Sequence, residues 1–301
     1  MRRLALRWLA LASLALSRAV PRPLAAQAQG LGAGWSLAKC LAATTDRDTD
    51  GLDDDCETAL ARSFAPELLV DRDDCPWDGE RTGLRGGYLY AVSHAGERVQ
   101  LAYLPAYLQD CGWRGWPRVL RVGRSAAHAG DSEAILLEIQ PGAGDSWHTT
   151  AIYLSAHCGG RSAGRCRWFR DDELAAFTWR EGRVLGAPVV WVARDKHAHY
   201  PTRSSCESGH WRQERCAREP AAHRFPIESF DRNIGSARHP RPRARGCIPG
   251  SDLPLRGHVS AVAVECLWDD DAEFGGWQPH ADGNGATAYS IVLRRAGFDP
   301  E

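Results

Sequence analysis

Two stretches of this chain gather side chains able to do chemistry, and both are built around hard oxygen donors. In the first, Asp46-Arg-Asp-Thr-Asp-Gly-Leu-Asp-Asp-Asp-Cys-Glu57, acids stand at positions one, three, five, nine and twelve, with glycine at six. That is the spacing of a calcium loop. Alternate carboxylates converge on one point, the glycine makes the sharp turn, a backbone carbonyl enters at seven, and the last glutamate gives both oxygens to the ion. The reading assigns Asp46, Asp48, Asp50, the Leu52 carbonyl, Asp54 and Glu57 as ligands to Ca2+. An acidic linker is the competing reading, and the number of matched positions argues against it.

The second stretch is Ser-Ala-Ala-His-Ala-Gly-Asp-Ser-Glu-Ala-Ile-Leu-Leu-Glu-Ile, from Ser125 to Ile139. If 131–139 is extended, Asp131 and Glu133 project from one face, because side chains alternate with period two. Gly130 lets the backbone turn so that His128 folds back over the same spot. A histidine with two carboxylates suits Ca2+, Mg2+ or Mn2+ better than zinc. The plainer alternative is a polar strand edge.

These groups need elements to hold them. Segment 53–63 reads as a helix leaving the acidic loop, with acids at its positive N-terminal end, and no helix is apparent before the loop. The absence of an entering helix favours the single-loop type with a structural ion. Beyond Pro66, short strand candidates at 88–92, 99–104, 119–122, 133–139, 150–156, 189–193, 259–264 and 288–293 are punctuated by glycine and proline. Such a pattern points to a mainly β fold, an antiparallel β-sandwich. One short helix is expected at 171–177, and 203–250 reads as a long loop pinned by disulfides. His157, His197 and His199 follow apolar strands, so strand ends converging on one rim would bring them towards Asp131 and Glu133.

Composition sets the compartment. Residues 1–28 combine Arg2, Arg3 and Arg7, an apolar run and small residues at Ala26-Gln27-Ala28, the form of a secretory signal peptide rather than a membrane span. Ten cysteines follow it, with no Cys-x-x-Cys pair, which indicates disulfides in an oxidising, extracellular setting rather than zinc. Cys40 with Cys56, Cys158 with Cys166 and Cys206 with Cys216 are plausible closures. The organisation expected is a signal peptide at 1–28, a calcium loop and helix at 29–63, and a β domain at 64–301. A formal net charge of -1 gives no global field for nucleic acid. The basic run Arg-His-Pro-Arg-Pro-Arg-Ala-Arg ending at Arg245 reads as a solvated loop. Gly160-Arg-Ser-Ala-Gly164 matches the pattern of a hydrolase nucleophile elbow, but Ser162 has neither the strand before it nor the helix after it that the elbow requires.

His128-Ala-Gly-Asp131-Ser-Glu133, Ser155-Ala-His157, Lys196-His-Ala-His-Tyr200 and Asp231-Arg-Asn-Ile-Gly235 resemble, in order, signatures of the vacuolar protein sorting-associated protein 62 family. That family is related to the necrosis- and ethylene-inducing proteins. Leu60-Ala-Arg-Ser-Phe-Ala-Pro66 is similar to the start of the first group, and Tyr103-Leu-Pro-Ala-Tyr-Leu-Gln-Asp110 to the segment preceding the metal motif of the second. The resemblance implies a β-sandwich with a divalent cation at one rim, held by Asp110, His128 and Asp131, with Glu133 functionally required. Gly130 and Ser132 stand where the second group has histidine and tryptophan, a departure that bears on its cytolytic activity.

Three functions are thereby expected. The leading one is a secreted metal-binding sandwich that engages a polar glycan or anionic lipid head group at a cell surface. In that reading Glu133 is a ligand through water or a base, and His157, His197, His199 and Tyr200 line the pocket. In a second, a divalent-metal-dependent hydrolase of phosphoester or ester substrates, Glu133 or His197 takes a proton from water. In a third, the ions only brace an extracellular structural protein.

Overall fold

The computed structural model describes residues 31–32, 34–74, 84–110, 128–156, 166–208, 214–224, 227 and 233, with the backbone alone for 31–32, 84–89, 106–110 and 128–132. Outside the described residues lie the expected signal peptide, His157, Cys158, Ser162, the basic run ending at Arg245, and the strands expected at 119–122, 259–264 and 288–293.

β1 (Leu31–Gly32) and α1 (Leu37–Leu41) precede the acidic loop, and α2 (Asp54–Phe64) leaves it. α1 corrects the expectation of no helix ahead of the loop. It is 5 residues long, started by Ser36, whose side chain accepts from the Lys39 N–H. One turn is too short for apolar periodicity to register. α2 forms where expected because Asp53 caps it and Asp54, Asp55 and Glu57 occupy its first turn, at the positive end of the helix. Pro66 lies just past its end, where a proline disfavours continuation of the helix. Cys56, Leu60 and Phe64, four apart, are wholly buried, one stripe facing the core. Truncating Phe64 to alanine should cost about 3–5 kcal/mol.

Two sheets form the body. The larger contains β3 (Leu84–Ala95), β4 (Arg98–Asp110), β5 (His128–Ser132), β6 (Ile135–Pro141), β7 (Ser146–Leu154) and β8 (Arg167–Arg170). Its order is β1-β7-β6-β4-β3, with β5 also on β4 and β8 also on β7. The smaller contains β2 (Glu67–Val70), β9 (Thr178–Trp179), β10 (Pro188–Val192), β11 (His199–Tyr200) and β12 (Ala221–Arg224), in the order β11-β10-β2-β12 with β9 on β10. Between the named strands of the described residues the ladders are antiparallel save one: β2 runs parallel to β10, Leu68 opposite Val190. The expected all-antiparallel arrangement is corrected there. β2 leads the body and β10 comes after the whole larger sheet, a connection long enough for a parallel pair.

One core joins these parts. Val99, Leu101 and Tyr103 of β4 and Ile135, Leu137 and Ile139 of β6 pack in the same apolar cluster as Leu68, Val70, Val190, Val192 and the buried stripe of α2. Period-two alternation on one sheet and period-four spacing on the helix therefore supply the same interior.

Two further expectations are adjusted. The short helix expected at 171–177 is present as a 3-10 helix of 6 residues, ending one residue earlier at Ala176. The stretch expected to be loop from 203 contains α3 (Arg203–Glu207) and β12. α3 begins with a capping box in which Thr202 and Ser205 each satisfy the other's backbone N–H. The disulfides Cys40–Cys56 and Cys206–Cys216 are both present. Cys166 is also disulfide-bonded. Among the described residues, no helix is long and apolar enough to cross a membrane.

Candidate metal centre

The acidic loop is held at both ends before any ion is considered. Cys40 of α1 is bonded to Cys56 of α2, and the Cys40 carbonyl accepts from Asp53 N–H at 2.9 Å. The Asp53 carboxylate closes the turn from the other side. One oxygen takes the N–H groups of Asp55 and Cys56, while the other takes the Thr44 hydroxyl at 2.6 Å and the Thr45 N–H at 3.1 Å. Burial works to raise the Asp53 pKa, but the hydrogen bonds from Thr44, Thr45, Cys56 and Asp55 outweigh it and hold the carboxyl below its ordinary value. Asp53 is thus a charged cap, outside the ligand set.

Within the loop the backbone bends around Asp46, whose two oxygens accept the N–H groups of Asp50 at 3.2 Å and Gly51 at 3.1 Å. Gly51 has φ +91°, a left-handed conformation that a side chain resists, and a Cβ there would stand 3.4 Å from His94 Nε2. The Leu52 side chain is wholly buried in the core and anchors the turn.

The carboxylates converge in two overlapping groups. Oxygens of Asp46, Asp48 and Asp50 lie within 4.8 Å of one another, and so do oxygens of Asp48, Asp54 and Glu57. Asp48 belongs to both, so the expected side-chain ligands share one acidic pocket. Asp54 is steadied by Arg47, whose N–H reaches Oδ1 at 3.0 Å and whose Nε stands 3.0 Å from Oδ2.

Glu57 is the decisive member. It has no exposure, and its Oε1 has no hydrogen-bond partner among the described residues. Burial, and then the charges of Asp50, Asp48 and Asp54, push its pKa well above the ordinary carboxylate value. A buried carboxylate surrounded by like charges is costly unless a proton or a cation neutralises it. The donor set is all oxygen, several donors are charged, and the sixth position is glycine, so the residues fit a hard divalent cation.

No family model matches the chain, and neither does any characterised protein or solved structure.

The expected rim is assembled differently. β4 and β5 pair so that Asp110 stands directly opposite His128 and Tyr107 opposite Asp131. Glu133 does not continue β5 as expected. It falls with Ala134 between β5 and β6, which both run in one register along β4, so the pair lies opposite Pro105 and Leu104. A proline has no N–H to complete a ladder there. His128 and Asp131 therefore stand three apart on β5, an odd spacing in a period-two element.

Glu133, half-buried, instead meets Ser155: its carboxylate accepts from the Ser155 hydroxyl. The same hydroxyl oxygen accepts from Ala134 N–H at 2.6 Å, and the Ser155 carbonyl accepts from His199 N–H at 3.1 Å. Ser155 thus links the end of the larger sheet to β11 of the smaller. Burial, with Glu133's charge adding to it, raises the Tyr153 pKa beside this junction.

The other pocket residues have structural partners. His197 is buried at φ 55°, its N–H bound to the Ala193 carbonyl at 2.8 Å and its Nε2 3.4 Å from an oxygen of Asp74. Asp74 also accepts Asp195 N–H at 2.6 Å, so this histidine and acid fasten the β10–β11 turn to the segment after β2. The Tyr200 hydroxyl donates to buried Glu214. Sequence reasoning did not single out Ser155, Asp74 or Glu214 for these roles, nor Asn233, which reaches the acidic pocket. Ser155 and Asn233 each lie inside a motif that carries the family resemblance, the one available signal.

Proposed function

We propose that this chain is an exported calcium-binding protein whose loop at 46–57 takes one Ca2+ through Asp46, Asp48, Asp50, the Leu52 carbonyl, Asp54 and Glu57. The ion braces α2 against the two sheets, which we read as the layers of a sandwich. What carries this reading is wholly buried Glu57, an oxygen without a hydrogen-bond partner among the described residues, set amid the carboxylates of Asp48 and Asp54. Arg47 balances Asp54, and a bound Ca2+ would supply the positive charge that Glu57, Asp48 and Asp50 need. Calorimetric titration of the chelator-treated full chain with Ca2+ should show a binding event that is lost in Glu57→Gln. No heat and no rise in thermal midpoint would sink the reading.

A second cation at the sheet rim is proposed from one observation, the direct cross-strand pairing of Asp110 with His128. With the Glu133–Ser155–His199 junction nearby in sequence register, this rim is the surface at which a glycan or anionic head group would be engaged. It accords with the ligand set that the resemblance to the sorting-associated group implies. The hydrolase reading uses the same groups, with Glu133 as base. The two part on measurement: binding to glycans or anionic vesicles without turnover favours recognition, whereas metal-dependent cleavage of a phosphodiester or ester, lost in Glu133→Gln, favours hydrolysis.

A further inference from the structure

We infer that Asn233, 176 residues beyond Glu57, is a positioning residue of the calcium pocket, and that ion binding and the docking of Asn233 are coupled. The inference rests on the calcium reading above. Asn233 is wholly buried. Its amide Nδ2 donates to Glu57 Oε2 at 3.2 Å and faces Asp48 Oδ2 at 3.5 Å, thereby bridging a member of each acidic group. It leaves Glu57 Oε1 open to a cation.

The chemistry of the amide suits that place. Its two N–H groups can hold two carboxylates, each of which keeps further lone pairs for a metal. A lysine would hold them too, but its charge would compete with the ion. An apolar residue would leave the buried oxygens to repel one another. Hydrogen bonds behind the ligands fix their orientation, and losing such a partner weakens metal binding by roughly 10–100-fold.

Geometry then ties the pocket to the fold. Asn233 forms a parallel β-bridge with Tyr90 of β3, and the Tyr90 hydroxyl lies 3.0 Å from that of Thr58 on α2. Arg62 of α2 donates to the Ile227 carbonyl at 3.0 Å. Two residues of one helix, Glu57 and Arg62, therefore hold two points of the same distant stretch. Whatever orders Glu57 favours docking of Asn233, and by linkage docking of Asn233 favours the ion equally.

The test titrates chelator-treated full chain with Ca2+ alone, comparing wild type with Glu57→Gln, Asn233→Leu and Asn233→Asp. If Asn233 holds the ligands, both Asn233 variants bind about 10–100-fold more weakly, since neither retains the donor. Wild-type affinity in a folded Asn233→Leu protein overturns the inference. Undiminished affinity in Asn233→Asp also overturns it, because it would make the residue a ligand rather than a holder of ligands. If wild type binds no Ca2+, or Glu57→Gln binds as well as wild type, it is the calcium reading itself that fails. Should Asn233→Leu not fold, hydrogen exchange of the wild type decides: peptides containing Asn233 must be slower in Ca2+ than in chelator, and equal rates overturn the coupling.

Discussion

Between Asp46 and Glu57 the chain supplies seven carboxylates, five of them at the expected ligand positions, and a turning glycine, clamped by Cys40–Cys56 and continued by α2. The rim near Ser155 has the same kinds of side chain, yet Glu133, Ser155 and His199 come from separate stretches, and Asp110 meets His128 only through the β4–β5 register. The loop leaves a buried charge cluster in need of a cation. At the rim three of the described polar groups have protein partners: Glu133 with Ser155, His197 beside Asp74, Tyr200 with Glu214. A local motif can concentrate charge because its own backbone holds the acids in place. A site gathered from distant strands first has to be stable as structure.

The sharpest way to break this comparison is Glu57→Gln. Removing one charge from the cluster should weaken Ca2+ binding on the order of 100-fold or more, since the remaining acids lose the glutamate that completes the shell. Wild type at a hundredfold excess over its Kd should gain about 2.7 kcal/mol, and the variant at the same concentration no more than about 0.4 kcal/mol. In chelator the order reverses, with the variant melting higher because like charges no longer crowd Glu57. Scanning calorimetry with and without Ca2+ reads both. A variant that melts lower in chelator would mean that Glu57 makes a favourable contact in the ion-free state rather than a repulsive one.

Comparable in size, though less direct in its effect on the ion, is the clamp. Cys40 and Cys56 are 16 apart, and opening a loop of that length should cost about 3 kcal/mol. The double serine variant should melt lower and also bind Ca2+ more weakly, because α1 no longer holds the start of α2. Unchanged affinity would make the loop self-sufficient and sharpen its contrast with the rim.

What was legible in the sequence divides along the same line. The convergence of the loop's carboxylates and α2 were readable because their interactions lie within twelve residues and follow fixed periods. Strands expected at 88–92, 99–104, 150–156 and 189–193 fall on β3, β4, β7 and β10 for the same reason. Not readable were the parallel pairing of β2 with β10, the interruption at Glu133, and the approach of Asn233 to Glu57. Those depend on register between remote segments, and register has no local signature. Ser155 is a further case, since a serine that accepts from one backbone and donates to one carboxylate looks, in sequence, like any other.

Acidity offers a finer probe. Glu57's carboxyl titrates at 4.5 in the ordinary state and well above that in the fold, so the folded chain keeps a proton that the unfolded chain has released. Its contribution to ion-free stability is therefore full below about 4.5 and is lost as pH rises through the folded value. In Ca2+ the cation replaces the proton, so affinity should fall as pH is lowered. The prediction is a thermal midpoint that drops with rising pH in chelator, a smaller drop in Glu57→Gln, and opposite pH trends for stability and Ca2+ binding. Parallel trends in wild type and Glu57→Gln would assign the dependence to other groups.

The smallest expected effect isolates the rim. Ser155→Ala removes the acceptor for Ala134 N–H and the donor to Glu133. Ala134 is buried, so its N–H loses a partner that water cannot readily replace, whereas half-buried Glu133 can turn towards solvent. The net cost should be about 1–2 kcal/mol, and the Ca2+ titration should not move. Any glycan, vesicle or ester response should change, because Glu133 would be released from its present orientation. If Ser155→Ala instead shifted the Ca2+ affinity, the two regions would be energetically joined through the shared core, and the rim could no longer be treated as a separate assembly.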